Sequence, residues 1–298
     1  MSEASLPPRD GGTLREAALA ERAKLKALYP TFFEANWRRR GSTIGVIAAL
    51  AAVAIFGIAT LDVSWARVWG GMGRLGEFVV LMLPPSFGTY ATLQFYLLSL
   101  AQTLAIAFLG TLLGAVIAFP LGFVAARNVV ANPLVHFVMR RMLDTIRAVD
   151  VLIWALMWIN VVGLGPFAGI LAIMTQDIGI FGKLFSEAIE AADQKAVEGI
   201  VSTGGNRWVA VRFGLIPQVL PVFLSQVLYF IESNTRSATI IGIVGAGGIG
   251  QALAESIQEL EWQHVAFLVA MILVTVVLID HISSRLRFAV IGARPGTV

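Results

Sequence analysis

The sequence predicts an all-α, polytopic membrane protein with about six transmembrane helices. Of its 298 residues, 57% are hydrophobic and only 14% are charged, whereas roughly a quarter are charged in soluble domains. The mean hydropathy is +0.79. Runs of about 18 or more residues without a charge can cross a hydrocarbon core of about 30 Å as helices. Such uncharged runs occupy 44–61, 78–126, 151–176, 213–231, 237–254 and 262–279.

Composition also excludes several classes of protein. The absence of cysteine rules out a disulfide framework, a thiolate metal site and a cysteine nucleophile. The three histidines, His136, His264 and His281, stand apart from one another, so we expect no metal site. No serine nucleophile motif and no phosphate-binding loop motif occurs. We therefore expect a chain that is not an enzyme, binds no cofactor and does not itself hydrolyse ATP.

The apolar segments divide the chain into four regions in order. Residues 1–41 are polar, contain the amphipathic stretch TLREAALAERAKLKAL and end in WRRRG. Residues 42–90 hold the first span, 42–61, and an outer interfacial segment. Residues 91–285 form the core transmembrane domain, and 286–298 form a tail. Within the core we predict spans at 91–125, 142–162, 166–185, 210–231 and 263–282.

The distribution of Lys and Arg predicts the orientation. With both termini placed in the cytoplasm, most of the 22 Lys and Arg residues fall on the inner side. Arg67, Arg74 and Arg236 are the exceptions that fall outside, and Arg147 falls within the third span. This asymmetry follows the positive-inside rule and explains the net charge of +3 without nucleic-acid binding. We expect a multi-pass protein of a bacterial cytoplasmic membrane, in contact with lipid.

The segment IIGIVGAGGIGQAL, 240–253, contains the glycine spacing of a dinucleotide-binding loop. That motif also requires a preceding strand, a βαβ unit and an acidic residue about 20 residues further on. Near position 270 the chain reads FLVAMILV, and no alternation of strands and helices occurs. The dinucleotide interpretation therefore fails. Two alternatives remain: a re-entrant or outer-facing element that lines a translocation path, and simple close packing of helices.

The inner loop 186–212 mixes polar and apolar residues at helical spacing. Ala196, Val197, Ile200 and Val201 recur at helical spacing, and the glycine pair at 204 and 205 ends the pattern. The spacing predicts a short amphipathic helix at the cytoplasmic surface, with one side toward the membrane domain and the other toward a partner. A solvated helix without a partner is the alternative, but it would leave an apolar stripe exposed.

This loop resembles the coupling loop of ATP-binding-cassette (ABC) importer permeases. That pattern is E-A-A, three residues, Gly, nine residues and I-x-L-P. Glu198-Gly199-Ile200 takes the first position, Gly204 the second, and Gly214 to Pro217 the last. Further blocks resemble the phosphonate-importer permease (PhnE) family over roughly 90–255. They are FPLGFVAARNV, GLGPFAGILAI, IGIFGKLFSEAIE, RFGLIPQVLP and YFIESNTRSATIIGIVGAGGIG.

The resemblance implies a type I ABC importer permease fold and the transport of phosphonate or a related small phosphorus oxyanion. It also implies two ABC ATPase subunits that bind ATP and Mg, a periplasmic or lipoprotein phosphonate-binding protein, and a second permease copy in a homodimer. The residues expected to couple to the ATPase are Ala196, Val197, Glu198, Gly199, Ile200, Ser202, Thr203, Gly204, Gly205, Asn206 and Arg207. Those expected on the translocation path or the binding-protein side are Asn234, Arg236, Gly245, Gly247, Gly248 and Gly250.

Two further interpretations stay open at this point. Arg236 is predicted either to guide an anion or to serve in docking or at the membrane interface. Asp144 and Arg147, three residues apart at the start of the third span, are expected to form an intrahelical ion pair. The competing class for the whole chain is a secondary transporter or channel that works without an ATPase, although no internal repeat supports it.

Overall fold

The computed structural model describes residues 19, 21–22, 24–28, 37–61, 64–130 and 132–291, and in these residues it contains helices and turns but no strand. The chain divides into two compact units, Met1–Arg74 and Leu75–Val298. The helices, numbered from residue 37, are α1 (Trp37–Thr60), α2 (Trp65–Leu81), α3 (Tyr90–Ala125), α4 (Pro133–Ala148), α5 (Val151–Val162), α6 (Pro166–Ala191), α7 (Gln194–Ser202), α8 (Arg207–Ala210), α9 (Ile216–Ile241), α10 (Ile249–Gln258) and α11 (Trp262–Ile291). A wider π turn, Val211–Leu215, precedes α9, and Gly242–Ala246 follows it as a kinked segment in which Gly245 has a non-helical conformation.

Within the described part of the chain, five stretches are long and apolar enough to cross a membrane. The bent pair formed by α4 and α5 makes a sixth if it is taken as one broken span. The prediction of an all-α, multi-pass membrane protein with about six spans is confirmed. The five continuous spans are Gly41–Thr60, Tyr90–Ala125, Pro166–Ala191, Arg207–Ala246 and Trp262–Arg287.

The predicted third span, 142–162, is not one continuous helix. The chain turns by 88° between α4 and α5. Asp150 lies at this break, with ψ of 149°, and its carboxylate accepts a hydrogen bond from the backbone N–H of Leu152 at 2.9 Å. The break occurs because an Asp side chain satisfies the first free N–H groups of a new helix. An acidic residue inside an apolar run is therefore a helix start here.

The core of the second unit is built on close packing between α3 and α6. A Cβ atom at Gly110 would lie 2.8 Å from the Cβ of Ile173, and one at Gly122 would lie 2.8 Å from the Cβ of Phe185. Small residues at these positions allow the two helices to approach more closely than larger side chains would permit. The hydroxyl of Thr111, next to Gly110, can thus lie in a fully buried position.

Contacts between helix termini define two ends of this unit. At the first, which we call the glycine end, the N–H of Gly165 donates to the carbonyl of Gly245 at 2.9 Å. At the opposite end, the N–H of Arg127 donates to Glu190 Oε1 at 2.8 Å. We call it the coupling end because it holds the loop that resembles a coupling loop. α3, α6 and α11 run from the glycine end to the coupling end, and α9 runs back.

The first unit contributes α1, whose apolar side chains are exposed. This is the arrangement of a helix that lipid surrounds. Most of the predicted amphipathic region 1–41, and residues 292–298 of the predicted tail, lie outside the described residues.

Candidate functional site

The short helix α7 lies at the coupling end, within the loop singled out from the sequence. Asp193 begins it by accepting a hydrogen bond from the N–H of Lys195 at 3.0 Å. The helix ends at Ser202, and Gly204 follows with φ of 88°, a left-handed conformation that glycine adopts at little cost. The N–H of Gly205 then donates to the carbonyl of Ile200 at 3.0 Å. Helix and turn therefore lie where the residue pattern predicts them.

One face of α7 packs on the chain that follows it. Val197 and Ile200 are partly buried, and both lie against Gly214, where a Cβ atom would be 3.2 Å from either residue. Glycine at 214 therefore lets α7 lie directly on the π turn that leads into α9. The opposite face is open, and its exposed residues include Ala196, Glu198, Gly199, Ser202 and Thr203.

The side chain of Gln218 fixes α7 to the transmembrane core, and that of Arg207 fixes α8, the helix that follows. The N–H of Asp193 donates to Gln218 Oε1 at 3.0 Å, and Gln218 Nε2 donates back to the carbonyl of Asp193 at 3.1 Å. Asn206 begins α8 by accepting from the N–H of Val209 at 2.9 Å. The guanidinium of Arg207 donates to the carbonyl oxygen of Val129. These hydrogen bonds tie the start of α7 to α9, and the start of α8 to the turn after α3.

That turn is part of a polar network with α4 and α6. Arg140 forms an ion pair with Glu190 at 2.8 Å. His136 is buried, with Nδ1 2.7 Å from the carbonyl of Ala125, while Arg127 Nε donates to His136 Nε2 at 2.9 Å. Because Nε2 accepts, the hydrogen of this imidazole lies on Nδ1. Glu190 also accepts from the backbone of Arg127, so the network joins three helices at the coupling end.

A second polar cluster lies in the interior, halfway along the helices. Asn234 Nδ2 donates to Thr111 Oγ1 at 2.8 Å and to Asp177 Oδ2 at 2.6 Å. Asp177 is fully buried, and its Oδ1 has no hydrogen-bond partner among the described residues. These three residues join α3, α6 and α9. If one helix moved away, the remaining polar groups would be left buried and unpaired, and this cost favours one arrangement of the three helices.

The position of Asn234 corrects the predicted end of the fifth span. We expected that span to end near 231 and to leave Asn234 and Arg236 on the outer side. Instead, α9 continues to Ile241. Glu232 is tolerated within the helix because Arg236 Nη1 lies 3.6 Å and Arg287 Nη2 lies 3.1 Å from its carboxylate oxygens. Neutralising partners therefore allow a charged residue within a span.

The glycine segment packs tightly at the glycine end. Gly245, Gly247 and Gly248 have φ of 100°, 82° and 75°. A Cβ atom at Gly250 would overlap the carbonyl oxygen of Thr239. These glycines thus allow the chain to reverse direction between α9 and α10 with the two helices in close contact.

The N–H groups at the start of α10 are already occupied within the chain. Gly248 donates to Gln102 Oε1 at 2.9 Å and Ile249 donates to Thr103 Oγ1 at 2.7 Å. In a dinucleotide-binding loop these N–H groups would bind the pyrophosphate. The geometry agrees with the rejection of that interpretation, and it favours close helix packing over a lining role for the glycines.

Two of these arrangements could not be read from the sequence. Gln218 lies 14 residues beyond Gly204, and no motif marks it as the partner of Asp193. Asp177 and Thr111 are likewise single polar residues in apolar helices. The one available signal was that an ionisable residue inside a span is a functional candidate by default. The predicted pair of Asp144 and Arg147 is confirmed, with 3.2 Å between Oδ1 and Nε.

Comparison with known proteins identifies relatives along most of the chain. The family model described as "Binding-protein-dependent transport system inner membrane component" matches residues 118–291. HtxC of Stutzerimonas stutzeri, whose name refers to a phosphite transport system permease, is 38% identical over 260 residues, 87% of this chain and 90% of its own length. The phosphite transport system permease protein PtxC of the same organism is 32% identical over 255 residues, 86% of this chain and 91% of its own.

A solved structure supports the architecture. A chain of the MetNI methionine ABC transporter, in an inward-facing conformation, matches with a TM-score of 0.61 and 19% identity, over 70% of this chain and 100% of that chain. The fold is that of a type I ABC importer permease. The family model covers more than half of the residues. This chain therefore belongs to the family of binding-protein-dependent transport system inner membrane components.

Proposed function

We propose that this chain is the transmembrane permease subunit of an ABC importer for phosphonate or a related small phosphorus oxyanion. Two partner ATPase subunits bind ATP and Mg and hydrolyse the nucleotide, while this chain forms the path. The observation that carries the proposal is α7, a short helix with one face packed on the core and the other exposed. The names of the relatives, which refer to phosphite transport, support the class of cargo.

In the proposed mechanism, α7 docks in a cleft of the ATPase and follows its closure. Glu198 lies on the exposed face, where it can pair with a basic residue of the ATPase. The links from Asp193 to Gln218 and from Arg207 to Val129 carry the movement into the spans. Because helices move as packed units, the transition switches the path between inward and outward openings.

The proposal includes an orientation and further partners. The coupling end faces the cytoplasm, as do both termini, and the glycine end faces outward toward a periplasmic or lipoprotein binding protein. A second copy of the chain completes the path. Exposed apolar side chains along the spans, such as Val116 and Val277, support contact with lipid or with that copy. Arg236 is assigned to the path, whereas the buried Asn234 and the tightly packed glycines at 245, 247, 248 and 250 are assigned to the helix packing that borders it.

Co-purification tests the class and the cargo together. The chain is solubilised gently from its native membrane, and the ATPase and the binding protein are sought in the recovered complex. We expect ATPase activity that rises when the binding protein and inorganic phosphite or methylphosphonate are added. Uptake into liposomes by this chain alone, without ATP, would instead establish a secondary transporter or channel.

The orientation has a separate test, because the chain lacks cysteine. Single cysteines are placed at Ser202 in α7 and at Gln258 in α10, both exposed positions. In intact spheroplasts, a membrane-impermeant thiol reagent should label Gln258→Cys but not Ser202→Cys. The reverse pattern contradicts the proposed orientation.

A further inference from the structure

Three charged side chains meet between α9 and α11, and we call Glu232, Arg236 and Arg287 the charged triad. Arg287 Nη2 lies 3.1 Å from Glu232 Oε2, and Arg236 Nη1 lies 3.6 Å from Glu232 Oε1. The Glu232 side chain is only 8% exposed, whereas that of Arg287 is 23% and that of Arg236 48% exposed. Two guanidinium groups and one carboxylate leave the triad with an excess of one positive charge.

Neighbouring hydrogen bonds place Glu232 and Arg236 deep within the membrane-spanning part. Asn234 lies between them in the chain and donates to Thr111 and Asp177. Those two partners lie near the middle of α3 and α6, far from the ends of either helix. Arg236 is thus close to the middle of the bundle, although it belongs to a segment that the sequence alone placed outside.

At this depth, an exposed guanidinium is not compatible with lipid hydrocarbon. Charged side chains within spans face a bundle interior or a water-filled cavity. Tyr229 and Ser233 lie one or two turns before Arg236 on the same side of α9, and both retain some exposure. This side of the helix is therefore suited to a path that contains water.

The two arginines hold Glu232 unequally. Arg287 donates a hydrogen bond to the carboxylate, and its guanidinium also lies over the ring of Tyr229, 5.5 Å from the centroid. Arg236 makes only the looser 3.6 Å contact, and no hydrogen bond joins it to Glu232 among the described residues. Glu232 is thus fixed by Arg287, while the donors of Arg236 are available to another anion.

We propose that the charged triad is an anion-exchange site on the translocation path. A small phosphorus oxyanion replaces Glu232 as the partner of Arg236, and Glu232 stays on Arg287. The planar guanidinium fits two oxygens of a tetrahedral oxyanion. When no cargo is present, Glu232 keeps its bond to Arg287 and also lies 3.6 Å from Arg236, which limits the cost of an unpaired charge within the membrane. This inference rests on the proposed function for the identity of the cargo.

Transport by the reconstituted importer tests the exchange. Proteoliposomes contain the permease with its ATPase, and the loaded binding protein presents inorganic phosphite or methylphosphonate. Arg236→Gln should lower uptake by about tenfold or more, the effect of removing a charged hydrogen bond, while stimulated ATPase activity persists. Arg236→Lys should restore part of the uptake. Arg147→Gln is the matched control, since Arg147 is also 48% exposed and paired on its own helix, and it should retain both activities.

Glu232→Gln tests the exchange from the other side. Without the competing carboxylate, Arg236 should hold the cargo longer, so the KM for uptake falls and the maximal rate falls with it. Two results overturn the inference: uptake by Arg236→Gln within twofold of wild type, or loss of uptake and of stimulated ATPase activity in parallel.

Thiol labelling tests the triad without transport. In the cysteine-free chain, Ser233→Cys lies one turn from Arg236 and should react with water-soluble thiol reagents. A negatively charged reagent should react faster than a positively charged one of the same size, and inorganic phosphite should slow it. Ser202→Cys on α7 reports that the reagents are active.

Absence of labelling at Ser233→Cys, or faster reaction with the positive reagent, overturns the anion-exchange site. A wild-type importer that carries neither phosphite nor methylphosphonate, but shows the expected labelling, overturns the proposed cargo and leaves the site standing. The two failures are therefore distinct.

Discussion

Asp193 and Gln218 bind each other through a reciprocal pair of hydrogen bonds, 3.0 Å from the N–H of Asp193 to Gln218 Oε1 and 3.1 Å from Gln218 Nε2 to the carbonyl of Asp193. One residue begins the exposed helix α7, and the other lies in the first turn of the spanning helix α9. Their pairing resembles the way that two backbone amides pair, and it prevents α7 from sliding along the core.

Replacement of Gln218 by leucine should therefore remove the link to Asp193, together with the hydrogen bond from Gln218 Nε2 to the carbonyl of Gly214 at 2.6 Å, while the buried contacts of Val219 and Phe223 on α9 remain. We expect ATP hydrolysis to continue while phosphite uptake per ATP falls several-fold, because α7 can move without carrying α9. The measurement is the ratio of uptake to hydrolysis in proteoliposomes. Gln194→Ala is a suitable control, since Gln194 Nε2 donates to the carbonyl of Ala192, two residues before it in the chain. If the ratio of uptake to hydrolysis is unchanged in Gln218→Leu, the hydrogen bonds between Asp193 and Gln218 do not transmit the movement of α7.

Substitutions of Gly204 should differ in effect according to how well the new residue adopts a positive φ. The φ of Gly204 is 88°, and apart from its two chain neighbours no described residue comes within 4 Å of a Cβ built there. Gly204→Val should therefore cost about 1–2 kcal/mol by strain rather than collision, distort the exit from α7 and abolish coupled uptake. Gly204→Asn should retain more activity, since asparagine tolerates positive φ better. Equal uptake by the two variants would argue against a conformational cause, and surface expression confirms membrane insertion.

The buried cluster of Thr111, Asp177 and Asn234 should act as a unit. Asn234→Leu removes the amide that donates to Asp177 Oδ2 at 2.6 Å, and we expect a loss of about 1–3 kcal/mol in stability. Removing both partners with Asp177→Leu and Asn234→Leu together should cost less than the sum of the single changes. Thermal unfolding in detergent, followed by size-exclusion chromatography, measures the difference. Asn160→Ala serves as a control because Asn160 is exposed and its Nδ2 donates to the carbonyl of Leu156 within α5.

The chain reversal between α9 and α10 leaves no room for the methyl group of an alanine at position 250. A Cβ atom there meets the carbonyl oxygen of Thr239 and the Cα of Gly242, so α9 and α10 must separate. Gly250→Ala should lower the folded yield by several-fold. Gly57→Ala in α1, where nothing lies within 4 Å, should be neutral or slightly stabilising, as expected for alanine in a helix. Comparable yields from both variants would contradict the packing described for this end.

The fold was largely predictable because lipid requires long apolar helices, and their length can be read directly from uncharged runs. The predicted bounds of two spans were wrong where a charged residue lies within a helical segment and has a structural role. Asp150 begins a helix, and Glu232 is neutralised by Arg236 from its own helix and by Arg287 from a helix about fifty residues later in sequence. A single sequence shows these charges but not their partners, so it misplaces the ends of the third and fifth spans.

The helix α7 and the turn after it were easier to predict than the buried clusters, because their conformation depends on neighbouring residues. Gly204 and Asp193 act through local backbone geometry, which depends on residues nearby in sequence. Thr111 and Asn234 meet only because α3 and α9 cross, 123 residues apart in the chain. Local turn chemistry is visible in residue order, whereas a contact between helices depends on how the bundle packs.

The π turn at the start of α9, Val211–Leu215, holds one more residue than an α-helical turn would. It lies against α7, because Gly214 meets Val197 and Ile200. Further along α9, the amide of Asn234 donates to Thr111 and Asp177 in the interior. The extra residue therefore gives the start of α9 a place to adjust its length, while the middle of the helix keeps its register with α3 and α6. An adjustment near α7 thus leaves the packed interior of the bundle, and its seal against lipid, unchanged.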